Sequence, residues 1–473
     1  MSDPESALVA ARSSKLGSNQ LGVVGISALV ISAVAPISVM AAAVPVLFAV
    51  TGAAVPAIFL IAGGLYTVFI VGYVAMSRYM VNAGGFVAYV DRAFGVRTAT
   101  AIAYITVLFY SASIVAFYAI SGAVAAMTIS PDANITLVTF GYVIIVAVLC
   151  LFGVSVSARL LVVLLVVEAA SLLVLDVALL LQGGPDGYSL AGFSPDIVFG
   201  AGFGVALLLA MICFSGLEAT VVFSEEAREP RRTIPRAVYF SLIAVVLLYG
   251  TSSWLMSVHV GPSASQIPPE EIGSFFFTIA ASAVGDGFST YLGYLVILSF
   301  LALFIGFQNL ITRYVFALGR AGVLPSPLGR TNSRRSPVVA SLAVSVMIAI
   351  VLGAFTFSGQ DPFTVTYAWL VGLGTVGLLL SLCVVSVAIV VFFARTKVET
   401  NVWTTKVAPI ISAVALGAVL FIAIENYSIL GNTDDSARSL LIAIPIAAIL
   451  GWIVAEVRLR SGHTIDYSAD LGG

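Results

Sequence analysis

The chain alternates between long uninterrupted apolar runs and short polar segments. Val55–Ser77, Thr136–Ala158 and Ala237–Val258 each reach the roughly 20 residues that a helix needs to cross a bilayer. Apolar residues fill these runs on every side, where a surface helix would carry a single stripe. In hydrocarbon each peptide group must be paired inside its own segment, so the runs predict helices. The alternating ten-residue pattern of a membrane β-barrel is absent. The pattern predicts twelve spans, at 21–50, 55–77, 98–127, 136–158, 160–182, 197–223, 236–258, 288–312, 337–357, 362–394, 407–424 and 439–456. The fold class expected is an all-α integral membrane protein. Residues 1–20 and 457–473 then form polar tails. Met1–Gln20 is polar and the run after it is longer than the apolar core of a signal peptide, so it is expected to stay as the first span.

Charge supports that count. Only 9% of the 473 residues are charged and 60% are hydrophobic, with a mean hydropathy of +1.11. Soluble domains carry about 25% charged residues, so no large soluble domain fits. With both termini in the cytoplasm, all 21 Lys and Arg except Arg438 fall on the inner side or its edge. That asymmetry is what the positive-inside rule demands, and a wrong number of spans would scatter the basic residues. The inner connections Ser224–Arg236 and Arg320–Arg335 are basic, while the outer ones Pro131–Asn134 and Gly183–Asp196 are acidic or neutral. Cys150, Cys213 and Cys383 all fall inside apolar runs and read as packed free thiols. No metal constellation and no cofactor motif is visible, and no basic patch with interleaved aromatics suggests nucleic acid.

Two of the predicted helices are interrupted. Span 1 contains Ser32-Ala-Val-Ala-Pro36-Ile-Ser38, and span 6 contains Phe214-Ser215-Gly216-Leu217-Glu218. Proline removes a helix hydrogen bond and clashes with the preceding turn, and glycine weakens a helix interior. Ser215 and Glu218 fit S-x-x-E, the capping box that starts a helix. A start in mid-membrane implies two half-helices. Spans 1 and 6 are five apart, so two repeats of five, 21–182 and 197–394, would be mutually inverted, each opening on its broken helix. Spans 11 and 12 (407–456) stand outside the repeat. Exposed amides at a half-helix start hold a carboxylate, and carbonyls at a half-helix end hold an ammonium. An α-amino acid carries both groups. The competing reading is a plain kink.

Three segments resemble amino acid–polyamine–organocation permeases. These are Asn82-Ala-Gly-Gly-Phe-Val-Ala-Tyr89-Val-Asp-Arg-Ala-Phe-Gly95, then Phe214–Glu218 with Glu225-Glu226-Ala-Arg-Glu-Pro230-Arg-Arg-Thr-Ile-Pro235-Arg-Ala237, and Arg313-Tyr-Val-Phe-Ala-Leu-Gly-Arg-Ala-Gly-Val-Leu-Pro325. The resemblance implies a LeuT-like fold, alternating access, proton coupling in many members, and a bacterial plasma-membrane protein. It places the substrate carboxylate at Ala35, Pro36, Ile37 and Ser38. It places carbonyls for the amine, and a side-chain cover, at Cys213, Phe214, Ser215 and Gly216. Many relatives have Gly-Ser/Thr-Gly in span 1. Pro36 lacks an N–H, so the cradle here must differ.

Glu168, Asp176 and Glu218 lie well inside apolar runs, where a charge costs about 2.5–3.5 kcal/mol, which marks them as functional candidates. Glu218 reads as a cap, a proton-coupling site, or both. Glu168, near mid-depth, reads as a proton carrier, a cation ligand or a protonated hydrogen-bonding group; relatives with proton coupling often carry a lysine at a similar place. Asp176 is about 80° round the helix from Glu168, so the two are not a close pair, and it is expected to face an outer cavity or a neighbouring helix. Leu301–Gly306 of span 8 offers no hydroxyl for a second sodium site, which favours proton over sodium. Tyr104, Phe109, Tyr110 and Ser113 of span 3 and Tyr367 of span 10 are pocket candidates, with packing as the competing role. Thr233 before Pro235 reads as the start of helix 7. A proton-coupled amino acid or amine permease is therefore the leading expectation, with a sodium symporter or an exchanger second. An enzyme would need a nucleophile with its base, or clustered ligands, and none is visible.

Overall fold

The computed structural model describes residues 19–80, 84–130, 132–152, 154–261, 267, 271–427 and 435–467. Residues 1–18 and 468–473 of the predicted tails, and Asn82, Ala83, Pro131 and Asp434, lie outside the described residues. Among those described there is no strand, only an isolated bridge between Leu21 and Ala227.

Fifteen described helices have eight residues or more. They are α1 (Val23–Val34), α2 (Val44–Thr51), α3 (Val55–Ser77), α4 (Phe86–Phe94), α5 (Val96–Ile129), α6 (Ile135–Leu151), α7 (Val154–Gln182) and α8 (Phe203–Ile212). They continue with α9 (Pro230–Val260), α10 (Phe275–Ala283), α11 (Asp286–Arg320), α12 (Val338–Phe357), α13 (Ala368–Thr396), α14 (Ala408–Glu425) and α15 (Ala443–Arg460). Among the described residues, ten helical stretches are long and apolar enough to cross a membrane; the first, Val23–Ser77, takes in two predicted spans. By the length and composition of these helices the chain is an integral membrane protein.

Two boundaries differ from expectation. The run 136–158 is divided: α6 stops at Leu151 and α7 begins at Val154, so its last residues belong to the next helix. Helix α9 begins at Pro230, not near Thr233. Pro230 takes the first helical position, where its missing N–H costs nothing, and Thr233 instead donates its hydroxyl to the Arg228 carbonyl.

Burial separates a central layer from an outer one. In the most apolar window of Phe203–Phe223, 94% of residues are buried in the protein, against 22% in Ala437–Arg460. Helix α5 packs against α13, α15, α11 and α6, while α1 packs against α7, α9 and α11. Small residues permit this closeness, as is usual between membrane helices. A Cβ added at Gly451 of α15 would come within 2.6 Å of the Thr100 carbonyl oxygen of α5. Large apolar side chains such as Val163, Leu173 and Leu181 on α7, or Val414 and Phe421 on α14, remain exposed. In water they would be a liability; in a bilayer they meet acyl chains.

Candidate functional site

The first helix breaks at a single residue. Ala35 adopts the left-handed conformation (φ 50°, ψ 72°), which costs a residue with a Cβ about 1–2 kcal/mol. Its amide still reaches the Ile31 and Ser32 carbonyls at 3.0 and 3.1 Å. Pro36 opens the resumed helix, and the Val39 amide is back in register on the Ala35 carbonyl at 3.0 Å. A π-helical turn, Val39–Ala43, follows before α2. The break is thus a one-residue dislocation, narrower than a long unwound stretch.

The second break is wider. Helix α8 ends at Ile212, Cys213–Gly216 form turns, and Leu217–Phe223 resume as a 3-10 helix. Gly216 sits at φ 111°, which a side chain rarely tolerates. The expected capping box is only half formed. Glu218 reaches back, but its two carboxylate oxygens accept from the Gly216 amide at 3.0 and 3.1 Å. The Ser215 hydroxyl caps nothing and is buried without a partner. Glu218 Oε1 also accepts from the Tyr110 hydroxyl at 2.6 Å, which ties α5 to the second break.

A cavity lies between the two breaks. Ala33, Val34 and Ser38 line it from the first, and Leu209, Ile212, Cys213 and Ser215 from the second. Phe117 and Ile120 of α5, Phe300 and Leu303 of α11, and Tyr367 close it. The walls are apolar apart from a few groups: the Ser38 and Ser215 hydroxyls are buried with no hydrogen-bond partner, and the Cys213 thiol donates to the Leu209 carbonyl at 3.2 Å. An apolar cleft with a few convergent polar groups is the usual form of a small-molecule site.

Of the residues singled out from the sequence, Ser38, Cys213, Ser215 and Tyr367 line this cavity. Ala35, Pro36, Ile37 and Gly216 form the backbone breaks behind it. Phe214 packs away among Phe59, Tyr66 and Tyr249, with ring centroids at 6.3, 5.5 and 5.7 Å. From α5 it is Phe117 and Ile120 that reach the cavity; Tyr110 turns to Glu218, Phe109 packs at a tilt against Tyr110, and Ser113 donates to the Phe109 carbonyl.

Glu168 of α7 is buried at the first break. The Ile37 backbone amide and the Ser299 hydroxyl are its polar neighbours. Glu168 Oε2 and Ser299 Oγ nevertheless complete no hydrogen bond. Ser299 precedes the hydroxyl-free stretch Leu301–Gly306 of span 8. It lies seven residues before Gly306 on α11, hence on the same helix face, and a Cβ at Gly306 would sit 2.9 Å from the Ala33 Cβ. Asp176 faces a neighbouring helix, accepting from the Ser252 hydroxyl of α9 at 2.8 Å.

Two ion pairs join the loop after the second break to α11. Arg313 donates to both oxygens of Glu226, at 2.6 and 3.0 Å, and to the Asn309 carbonyl at 2.7 Å; both partners are almost fully buried. Arg320 holds Glu225 in the same forked manner at 2.9 and 2.5 Å. The Gln20 and Leu21 amides donate to the Glu226 carbonyl, at 2.9 and 3.0 Å, which fastens the start of α1 to the same loop.

Replacing Gly216 with Leu is expected to abolish ligand binding by chain that still folds. The new side chain is strained at φ 111° and its Cβ stands 3.2 Å from the Ala33 Cβ, which lines the cavity. Ligand binding measured on monodisperse protein checks this; wild-type affinity would separate the second break from the site.

The sequence model of the amino acid permease family matches residues 21–454. A branched-chain amino acid permease of Lactococcus lactis is 25% identical over 221 residues, 45% of this chain and 46% of its own length. An aromatic amino acid permease of the same species is 25% identical over 237 residues, 47% and 48% of the two chains. A glutamate/gamma-aminobutyrate antiporter of Lactococcus lactis is 24% identical over 276 residues, 55% and 53%. The matched regions span about half the length of these relatives. With the family match running from the start of α1 into α15, the chain belongs to the amino acid permease family.

Proposed function

We propose that the chain is a secondary transporter of amino acids or related amines, working by alternating access and coupled to protons. The observation that carries this reading is the cavity bounded by both helix breaks and lined by unpaired hydroxyls. Substrate would lie there, its apolar side chain against Phe117, Ile120, Phe300 and Leu303 and its amine toward the carbonyls that end α8. The names of the branched-chain and aromatic relatives agree with so apolar a pocket.

The same reading has twelve spans in two inverted repeats of five, 21–182 and 197–394, with both termini in the cytoplasm. Spans 1, 2, 6 and 7 form a bundle that rocks against spans 3, 4, 8 and 9. The Tyr110–Glu218 bond and the Glu226–Arg313 and Glu225–Arg320 pairs cross between those halves. They are the contacts such a motion must break.

Glu168 supplies the coupling. Its carboxyl occupies the start of the resumed first helix, where the substrate carboxylate is also drawn. Two unit negative charges about 4 Å apart repel by roughly 4 kcal/mol at an effective dielectric of 20. Substrate therefore binds together with a proton on Glu168, and both cross together. Exchange without net proton flux is the second reading, favoured by the likeness to an antiporter. Uptake of radiolabelled amino acids into proteoliposomes tests this. An inward proton gradient should drive accumulation and an inward sodium gradient should not. Uptake driven by sodium alone, or needing internal substrate, would refute proton symport.

A further inference from the structure

We propose that the chain carries a second binding site, for a phosphate group, in a polar cavity at its basic face. The cavity is formed where the end of α6 (Cys150, Phe152) meets the Asn309–Arg313 turn of α11 and the Arg334–Ser341 approach to α12. It is separate from the cavity between the helix breaks and shares no lining residue with it.

The charge balance favours an anion. Arg313 is neutralised by the forked pair with Glu226. That leaves Arg334 and Arg335 lining the cavity, exposed, with no ion pair to either among the described residues. Their loop is fixed: Asn332 Oδ1 accepts from the Arg334 and Ser336 amides, both at 3.0 Å. Two guanidinium groups matched to one tetrahedral anion are the usual protein partners of phosphate, because each can donate two parallel hydrogen bonds.

Thr312 and Ser341 line the same cavity, are 3% and 4% exposed, and have no hydrogen-bond partner. Some buried hydroxyls return to the backbone, as Thr375 does to Val371 and Ser386 to Leu382, each at 2.8 Å. Others, such as Ser224 and Ser241, are also unpaired, but of the unpaired ones among the described residues only Thr312 and Ser341 line this cavity. A buried hydroxyl left unmade costs about 1–3 kcal/mol. A phosphate seated here gives both a partner. The chemistry fits a soluble phosphate or an anionic lipid headgroup at the membrane surface.

Thermal unfolding of the purified full chain in neutral detergent tests the proposal. One arm titrates inorganic phosphate against sodium chloride at constant ionic strength. The other adds phosphatidylglycerol against phosphatidylcholine, whose phosphate is compensated by choline. A ligand that binds only the folded state raises the midpoint saturably. The saturable rise is expected in one arm at least: a phosphate response identifies a soluble ligand, and a phosphatidylglycerol response alone identifies a headgroup. The concentration for half the effect should rise at least tenfold in Arg334→Gln/Arg335→Gln and in Thr312→Val. The arginine side chains are exposed, so the double variant should unfold unliganded at the wild-type temperature. No saturable rise in either arm, or a rise undiminished in the arginine double variant, would overturn the proposal.

Discussion

Glu168→Gln is expected to end proton-driven accumulation while leaving substrate binding intact. Glutamine keeps the shape of a protonated carboxyl and can still face the Ile37 amide and the Ser299 hydroxyl. What it cannot do is release a proton. In proteoliposomes, a gradient of one pH unit is worth about 1.4 kcal/mol per proton, enough for roughly tenfold accumulation. The variant should reach a ratio of about 1, with binding changed less than about fivefold, which is under ~1 kcal/mol. Accumulation ratio against imposed pH, measured beside equilibrium binding, separates the two effects. Undiminished accumulation by the variant would remove Glu168 from the coupling.

The second large effect concerns stability. Arg313→Met should destabilise the protein by about 3–5 kcal/mol, because it strands the Glu226 carboxylate in a site from which water is excluded. Arg313 also donates to the Asn309 carbonyl and stands 4.7 Å from the Phe223 ring centroid, so the loss is not only of charge. Arg313→Met/Glu226→Leu removes both charges and should recover most of that loss. Unfolding midpoints of the wild type, both single variants and the double variant form the cycle that measures the coupling. Additive losses would show that the pair is not a unit. The Arg320–Glu225 pair is more open on the arginine side, so Arg320→Met should cost less.

The span limits were legible because polar residues end the apolar runs. Val55–Ser77 stops before Arg78, and the predicted 337–357 begins beside Pro337; both helices are found within a residue of their expected limits. Helix breaks were legible as places but not as shapes. Pro36 and Gly216 mark where helical bonds fail, yet nothing about alanine foretells that Ala35 takes the left-handed turn. The S-x-x-E spacing named Glu218 correctly as the reaching side chain and Ser215 wrongly as its partner. The positive φ of Gly216 makes that residue the cap and turns its own amide toward the carboxylate. Pairings between distant segments were not legible. Glu225, Glu226, Arg313 and Arg320 all lie in segments whose family likeness is readable, but the pairing of the loop before α9 with α11 depends on packing. The same holds for Glu168, whose depth in α7 was readable and whose place beside Ile37 was not. Ser299 carried a signal, since it shares a helix face with Gly306, but it lies two residues before the stretch Leu301–Gly306 that offers no hydroxyl.

Protection of Cys213 from alkylation tests the central claim most directly. Cys213 is the one cysteine among the described residues that lines the cavity between the breaks; Cys150 lines the other cavity, and Cys383 lines neither. In Cys150→Ala/Cys383→Ala protein, a small maleimide should label Cys213 and block uptake. The amino acid that competes best in uptake should slow that labelling at least tenfold when saturating. Saturable uptake with labelling of Cys213 unaffected by substrate would mean that transport uses another path.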